Sequence, residues 1–178
     1  MKYKVMIVED QTMPRELFEL RVQASERFEL ALSIDNAALA DVYCLRFPVD
    51  LILMDVITRD GENGLDAAAR IKRAFPQIKI IIVTSMPECS YLKRAKEIGV
   101  ESFWYKEEQR ESLLDVMERT MNGESVYPGA SPELTLGMAS SYQFTERELD
   151  ILREITSGDT NQEIADRLNM SVATVKTH

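Results

Sequence analysis

The sequence predicts an α/β chain: a doubly wound, five-stranded parallel sheet followed by a small all-α module. Three observations carry this. Short Ile- and Val-rich runs alternate with helical patterns as far as residue 122, the signature of consecutive βαβ units. Residues 123–143 then lose any sustained period and hold Gly123, Pro128, Gly129, Pro132 and Gly137 with several serines, a linker composition. From residue 144 helical signals return behind two capping boxes, Thr145 to Glu148 and Thr160 to Glu163.

Taken in chain order, strands are expected from Lys4 to Val8, Phe28 to Ile34, Leu51 to Met54, Ile78 to Thr84 and Ser102 to Tyr105. Four of the five are largely continuous apolar runs, as a sheet covered on both faces requires. Between them Met13, Leu17, Leu20 and Ala24 recur at helical spacing, with Pro14 suited to the first turn. Ala68, Ile71 and Phe75 form a second such stripe, and Leu113, Met117 and Met121 a third. Beyond the linker the helix opened by Thr145 buries Leu149, Leu152 and Ile155 and closes at Gly158; the next buries Ile164, Ala165 and Leu168. Ser171 is placed to cap a third helix from Val172. The organisation is therefore 1–122, linker 123–143, and 144–178.

Composition narrows the function. Of 178 residues 45% are hydrophobic and 29% charged, the balance of a soluble globular protein. Val5 to Val8 is too short an apolar run for a signal core or membrane span, so no membrane association and a cytoplasmic location are expected. Cys44 and Cys89 have no metal-site spacing, and the lone histidine, His178, rules out His-based metal sites and Ser-His-Asp catalysis within this chain. The formal charge of −9 repels nucleic acid at long range, and residues 145–178 carry four basic against seven acidic side chains.

In a parallel sheet all strand carboxyl ends share one edge, where ligands bind at the reversal of strand order. That edge collects Glu9 and Asp10 after the first strand, Asp55 after the third, Thr84 at the end of the fourth and Lys106 after the fifth. Crowded carboxylates raise one another's pKa unless a cation neutralises them, and Mg2+, a hard ion that keeps its waters, suits such a cluster. Lys106 adds a second positive charge and Thr84 a hydroxyl, so Asp55 is set to attack phosphorus and form an acyl phosphate. Taken singly, each residue also reads as a solvated loop acid, a helix cap or a surface lysine.

These segments, Val5-Met-Ile-Val-Glu-Asp10, Leu51-Ile-Leu-Met-Asp55, Ile81-Ile-Val-Thr-Ser85 and Phe103-Trp-Tyr-Lys106, resemble the receiver domain of two-component response regulators over residues 3–122. The resemblance implies a flavodoxin-like receiver fold. It implies that Glu9 and Asp10 form the metal pair with Asp55 and the main-chain carbonyl of Ile57, that Asp55 is the phosphoacceptor, and that Lys106 contacts the phosphate. Thr84 becomes the switch hydroxyl and Phe103 a rotating aromatic; the alternative for Phe103 is a plain core residue. The sequence departs from the family pattern after Asp55: Ile57 to Gly64 lacks the usual proline, and Gly64 stands nine rather than eight residues on, a loop one residue longer and more charged.

Residues 144–178, from Phe144-Thr-Glu-Arg-Glu-Leu149 to Ser171-Val-Ala-Thr-Val-Lys-Thr-His178, resemble the start of the LuxR-type helix-turn-helix of NarL/FixJ regulators. By that likeness Lys176 and Thr177 face the major groove, and Thr160 and Asn161 are phosphate contacts or simple caps. In the family this helix continues and a fourth follows, so basic residues that offset the seven acids are expected past His178. The chain so read is a phosphorylation-controlled transcription factor and no enzyme, with a sensor histidine kinase, inverted-repeat DNA and a phosphorylation-dependent homodimer as partners. A receiver that works without phosphorylation remains the alternative. A haloacid-dehalogenase-type phosphatase needs a second aspartate where Ile57 stands, and a dinucleotide site needs GxGxxG where Glu9 to Met13 stand.

Overall fold

The computed structural model describes residues 2–86, 88–106, 112–129, 135–136, 139–140, 162, 165–166 and 171. It divides into two units, Met1–Pro132 and Glu133–His178.

In the first unit five strands, β1 (Tyr3–Val8), β2 (Phe28–Ile34), β3 (Leu51–Met54), β4 (Lys79–Thr84) and β5 (Ser102–Tyr105), form one parallel sheet in the order β2-β1-β3-β4-β5. The strand order reverses at β1, which is the doubly wound topology expected from the alternation. Five α-helices connect or follow the strands: α1 (Thr12–Gln23), α2 (Ala40–Arg46), α3 (Gly64–Ala74), α4 (Cys89–Ile98) and α5 (Leu113–Met121).

Alternation along each strand divides the core between the two faces. Met6, Val8, Ile52, Met54, Ile80, Ile82, Phe103 and Tyr105 join Ala40 of α2, Leu65, Ala68 and Ile71 of α3 and Ala95 of α4. Val5, Ile7, Leu51, Leu53, Ile81, Val83 and Trp104 join Phe18 and Val22 of α1 and Leu113, Val116 and Met117 of α5. This two-sided burial explains the nearly unbroken apolar runs.

Helix α1 departs from the periodicity reading. Its buried face is Phe18 and Val22, four apart, while Met13, Leu17 and Leu20 of the expected stripe are 82%, 46% and 64% exposed. The helix carries two apolar faces, and the one holding the aromatic ring fills the space against Trp104, 6.4 Å away between ring centroids. The stripes of α3 and α5 hold: Ala68, Ile71, Leu113 and Met117 are buried, with Phe75 and Met121 packed at the core edges.

The start of the linker is not loose. Val126 is 9% exposed, its carbonyl accepts from Phe103 N at 2.8 Å and its own N donates to Ser102 Oγ at 3.1 Å. The Tyr127 hydroxyl donates to Val100 O at 2.7 Å. In the second unit a short antiparallel ladder pairs β6 (Thr135–Leu136) with β7 (Ala139–Ser140) within a stretch expected to lack regular structure. Gln162, Ala165 and Asp166 are helical, and Ala165 is buried as its stripe required. Thr160, Asn161, Lys176 and Thr177 lie outside the described residues.

Candidate functional site

The carboxyl edge of the sheet gathers the expected groups. β1 is followed by Glu9 and Asp10 and β3 by Asp55, and the register that pairs Val8 with Met54 sets these turns side by side. Carboxylate oxygens of Glu9, Asp10 and Asp55 all lie within 4.8 Å of one another. β5 delivers Lys106 from the far side, and its Nζ donates to Glu9 Oε2 at 2.5 Å and to Asp55 Oδ2 at 2.7 Å.

The two bridged acids are deeply placed, Glu9 at 0% and Asp55 at 5% exposure. Burial pushes the Glu9 carboxyl above its ordinary range and the Asp55 charge adds to the rise, outweighing Lys106 and the Gln11 N–H. Burial likewise raises Asp55, against the charge and hydrogen bond of Lys106 and the N–H of Val56, which donates to Oδ1 at 2.7 Å. On Lys106 burial works to lower the pKa, but Asp55 and Glu9 together outweigh it and hold the ammonium protonated. Lys106 thus pairs with two of the three carboxylates, Glu9 and Asp55. The donor set is all hard oxygen, and among the described residues its three carboxylates exceed the one ammonium bonded there, which fits a divalent cation such as Mg2+.

Thr84, 1% exposed, ends β4 with its hydroxyl accepting from Met86 N at 3.1 Å, while its carbonyl accepts from Lys106 N at 2.9 Å. Main chain thus ties the hydroxyl-bearing strand end to the lysine. The register pairs Thr84 with Tyr105 and Ile82 with Phe103, so Phe103 lies on the same sheet face as Thr84, two residues further from the edge. Phe103 is 1% exposed and packs edge-on to Tyr105 (5.1 Å between centroids) and against Tyr127 (6.3 Å).

The loop after Asp55 folds back on itself. Ile57 forms an antiparallel bridge with Asn63, a 3-10 turn spans Arg59–Gly61, and Gly61 takes a left-handed φ of 73°. Gly64 N then donates to Val56 O at 2.7 Å, beside Asp55.

Three contributors escaped the sequence reading. Arg15 donates to the carbonyl of Glu9 at 3.1 Å, Thr58 is a buried hydroxyl inside the loop, and Tyr127 covers Phe103. None carries a spacing signal, because each acts on main chain or packing contributed by a distant segment.

Both parts of the chain are similar to known proteins. A model of the response regulator receiver domain matches residues 5–118, and a model of bacterial regulatory proteins of the luxR family matches residues 142–178. The response regulator protein VraR of Staphylococcus epidermidis is 34% identical over 186 aligned positions, covering 100% of this chain and 87% of VraR. Among solved structures, a LuxR-family DNA-binding response regulator from Staphylococcus aureus superposes with a TM-score of 0.61 at 25% identity, over 66% of this chain and 98% of that one. A structure of two RcsB dimers bound to two parallel DNAs superposes with a TM-score of 0.66 at 16% identity, over 99% of this chain and 88% of RcsB.

Proposed function

This chain belongs to the response regulators with a LuxR-type DNA-binding module, whose business is phosphorylation-controlled transcription, and from that membership we propose that Asp55 is its phosphoacceptor. The observation that carries the assignment is the convergence of three carboxylates and one ammonium on a single buried pocket at the sheet edge.

An Asp55 carboxylate oxygen attacks phosphorus of the donor, the new O–P bond forms as the bond to the leaving group breaks, and the leaving group departs with the electron pair. Lys106 already bridges Asp55 and Glu9, and it turns toward the phosphoryl oxygens as charge accumulates there. Glu9, Asp10 and Asp55, with the main-chain carbonyl of Ile57, would hold Mg2+. When bound, the ion supplies positive charge to the phosphoryl oxygens. Thr84 meets the new phosphoryl group with its hydroxyl, and Phe103 passes the change to the face of α4 and β5.

The donor is a sensor histidine kinase, and the output is homodimerisation and binding of inverted-repeat DNA through Lys176 and Thr177, with Thr160 and Asn161 near phosphates. RcsB is named as a DNA-bound dimer, which supports this output. The chain works in the cytoplasm as a regulator rather than as an enzyme. Among the described residues no helix is long and apolar enough to cross a membrane.

Incubation with a small acyl-phosphate donor and magnesium should add one phosphoryl group that alkali and hydroxylamine remove, read as a mass shift. Asp55→Asn should remove it, and equal labelling of that variant refutes the assignment. Asp10→Asn should weaken magnesium binding, because it takes one full charge from the metal side of the pocket.

A further inference from the structure

The loop after Asp55 is fastened at its far side by a cluster of hydrogen bonds centred on Thr58. Thr58 is 2% exposed, and its hydroxyl accepts from Ala37 N at 3.0 Å while donating to Glu62 O at 3.0 Å. Thr58 N also donates to Glu62 O, at 3.0 Å, and Gly61 N donates to Thr58 O at 3.1 Å. One side chain thus closes the loop on itself and joins it to the turn after β2. Arg59 adds to the junction: its N donates to Asp35 O at 3.1 Å, its carbonyl accepts from Asn36 Nδ2 at 3.3 Å, and its guanidinium pairs with Asp35 at 2.6 Å.

These contacts differ in weight. The Arg59–Asp35 ion pair is 60% and 37% exposed, and such surface pairs contribute little. The Thr58 hydroxyl is different, because Ala37 is fully buried and its N–H has no solvent to fall back on once the oxygen is gone.

We propose that Thr58 is a positioning residue for the phosphoacceptor pocket, clasping the loop to the Asp35–Ala37 turn so that Ile57, the residue before it, offers its main-chain carbonyl to the metal in a fixed place. The inference rests on the reading of Asp55 as phosphoacceptor with a magnesium ion beside it. It explains how a loop with an extra residue and no proline keeps a defined path between Asp55 and Gly64. A proline stiffens such a loop through its own ring; here the stiffness comes from a side chain reaching a neighbouring turn.

Groups that orient a metal ligand without touching the metal commonly change affinity by about tenfold or more when removed. Thr58→Val keeps the shape and deletes the hydroxyl, so calorimetric titration of the 178-residue chain should show magnesium affinity about tenfold weaker. Thr58→Ser should restore it. Phosphorylation of Thr58→Val should be slow at limiting magnesium and recover at saturation.

Thermodynamic reciprocity supplies a test on the unaltered chain: if the clasp favours the metal, the metal must favour the clasp by the same factor. Magnesium should therefore slow hydrogen exchange of the Ala37 amide by about tenfold. Thr58→Val with wild-type magnesium affinity overturns the proposal, as does an Ala37 amide that ignores the metal should the variant fail to fold. A wild-type chain that binds magnesium and labels on Asp55 while its clasp is indifferent sinks this inference alone. One that does neither sinks the phosphoacceptor reading with it.

Discussion

Gly64 sets a tight limit on the loop after Asp55. A Cβ built there would lie 1.8 Å from the carbonyl oxygen of Asp55 and 2.9 Å from Met54 Cγ, and backbone cannot give way as a flexible side chain can. Gly64→Ala should therefore push Asp55 out of register with Glu9 and Lys106. The expected cost is about 1–3 kcal/mol of stability in urea unfolding, with phosphorylation slowed as well. A variant of wild-type stability would mean that the main chain at Asp55 moves freely. The charged pocket members were legible in the sequence because a parallel sheet sends every strand end to one edge, so Glu9, Asp10, Asp55 and Lys106 sorted themselves. Thr58 was not, and Gly64 was read only as a glycine displaced by one position: what they touch depends on how the Ile57–Asn63 loop closes, and no periodicity encodes that closure.

Tyr127 gives a prediction of the opposite kind, in which pH reads the contact. Burial, with the Glu101 charge adding to it, raises its pKa well above the ordinary tyrosine value, and its neutral hydroxyl donates to Val100 O. A raised pKa in the folded state means that the unfolded chain loses the proton first. The stabilisation is therefore complete below about pH 10 and lost as pH rises through the folded value. Wild type should be more stable than Tyr127→Phe at neutral pH, by about 1 kcal/mol in urea unfolding, and the gap should close in alkali. A gap independent of pH would show that the hydroxyl is not what holds this residue.

At the scale of elements, strands were read from sequence almost to the residue and helix faces less well. A strand in a two-faced sheet is buried whichever way it turns, whereas α1 had two candidate faces, and only packing against Trp104 chose Phe18 and Val22 over Met13, Leu17 and Leu20. The segment after α5 was read as linker from its glycine and proline content. Yet Val126 and Tyr127 hydrogen-bond to Phe103, Ser102 and Val100, and Ser102 Oγ continues to Thr120 Oγ1 at 2.6 Å inside α5. We infer that the receiver unit functionally includes this segment. A chain ending at Pro132 should then be more stable than one ending at Asn122 by about 1–3 kcal/mol, because the shorter chain exposes Phe103 and leaves buried polar groups unpaired. Identical urea midpoints for the two would place Val126 and Tyr127 back in a passive tether.

For the molecule as a whole the governing quantity is charge. Affinity for duplex grows with the number of phosphates that cationic side chains neutralise, and a net charge of −9 works against every approach to DNA. Residues 145–178 offer Arg147, Arg153, Arg167 and Lys176 against seven acids, so one copy brings little electrostatic attraction of its own. On the proposed dimeric reading, pairing two modules on one site makes the second binding event intramolecular, with no need of extra charge. On the proposed reading, phosphorylation of Asp55 would supply the pair. The 178-residue chain should bind duplex weakly, with dissociation constants of about 10⁻⁴ to 10⁻⁶ M at physiological salt, and with little preference among sequences. A chain carrying further basic residues past His178 should bind an inverted repeat as a phosphorylated dimer, with half-sites about one helical turn apart. In that chain Lys176→Ala should cost about 1–3 kcal/mol if the lysine reads a base, and should relax specificity at that position. Anisotropy titrations at several salt concentrations separate these cases. Tight, sequence-specific binding by the unphosphorylated 178-residue monomer would show that four cations suffice and that pairing is not what selects the site.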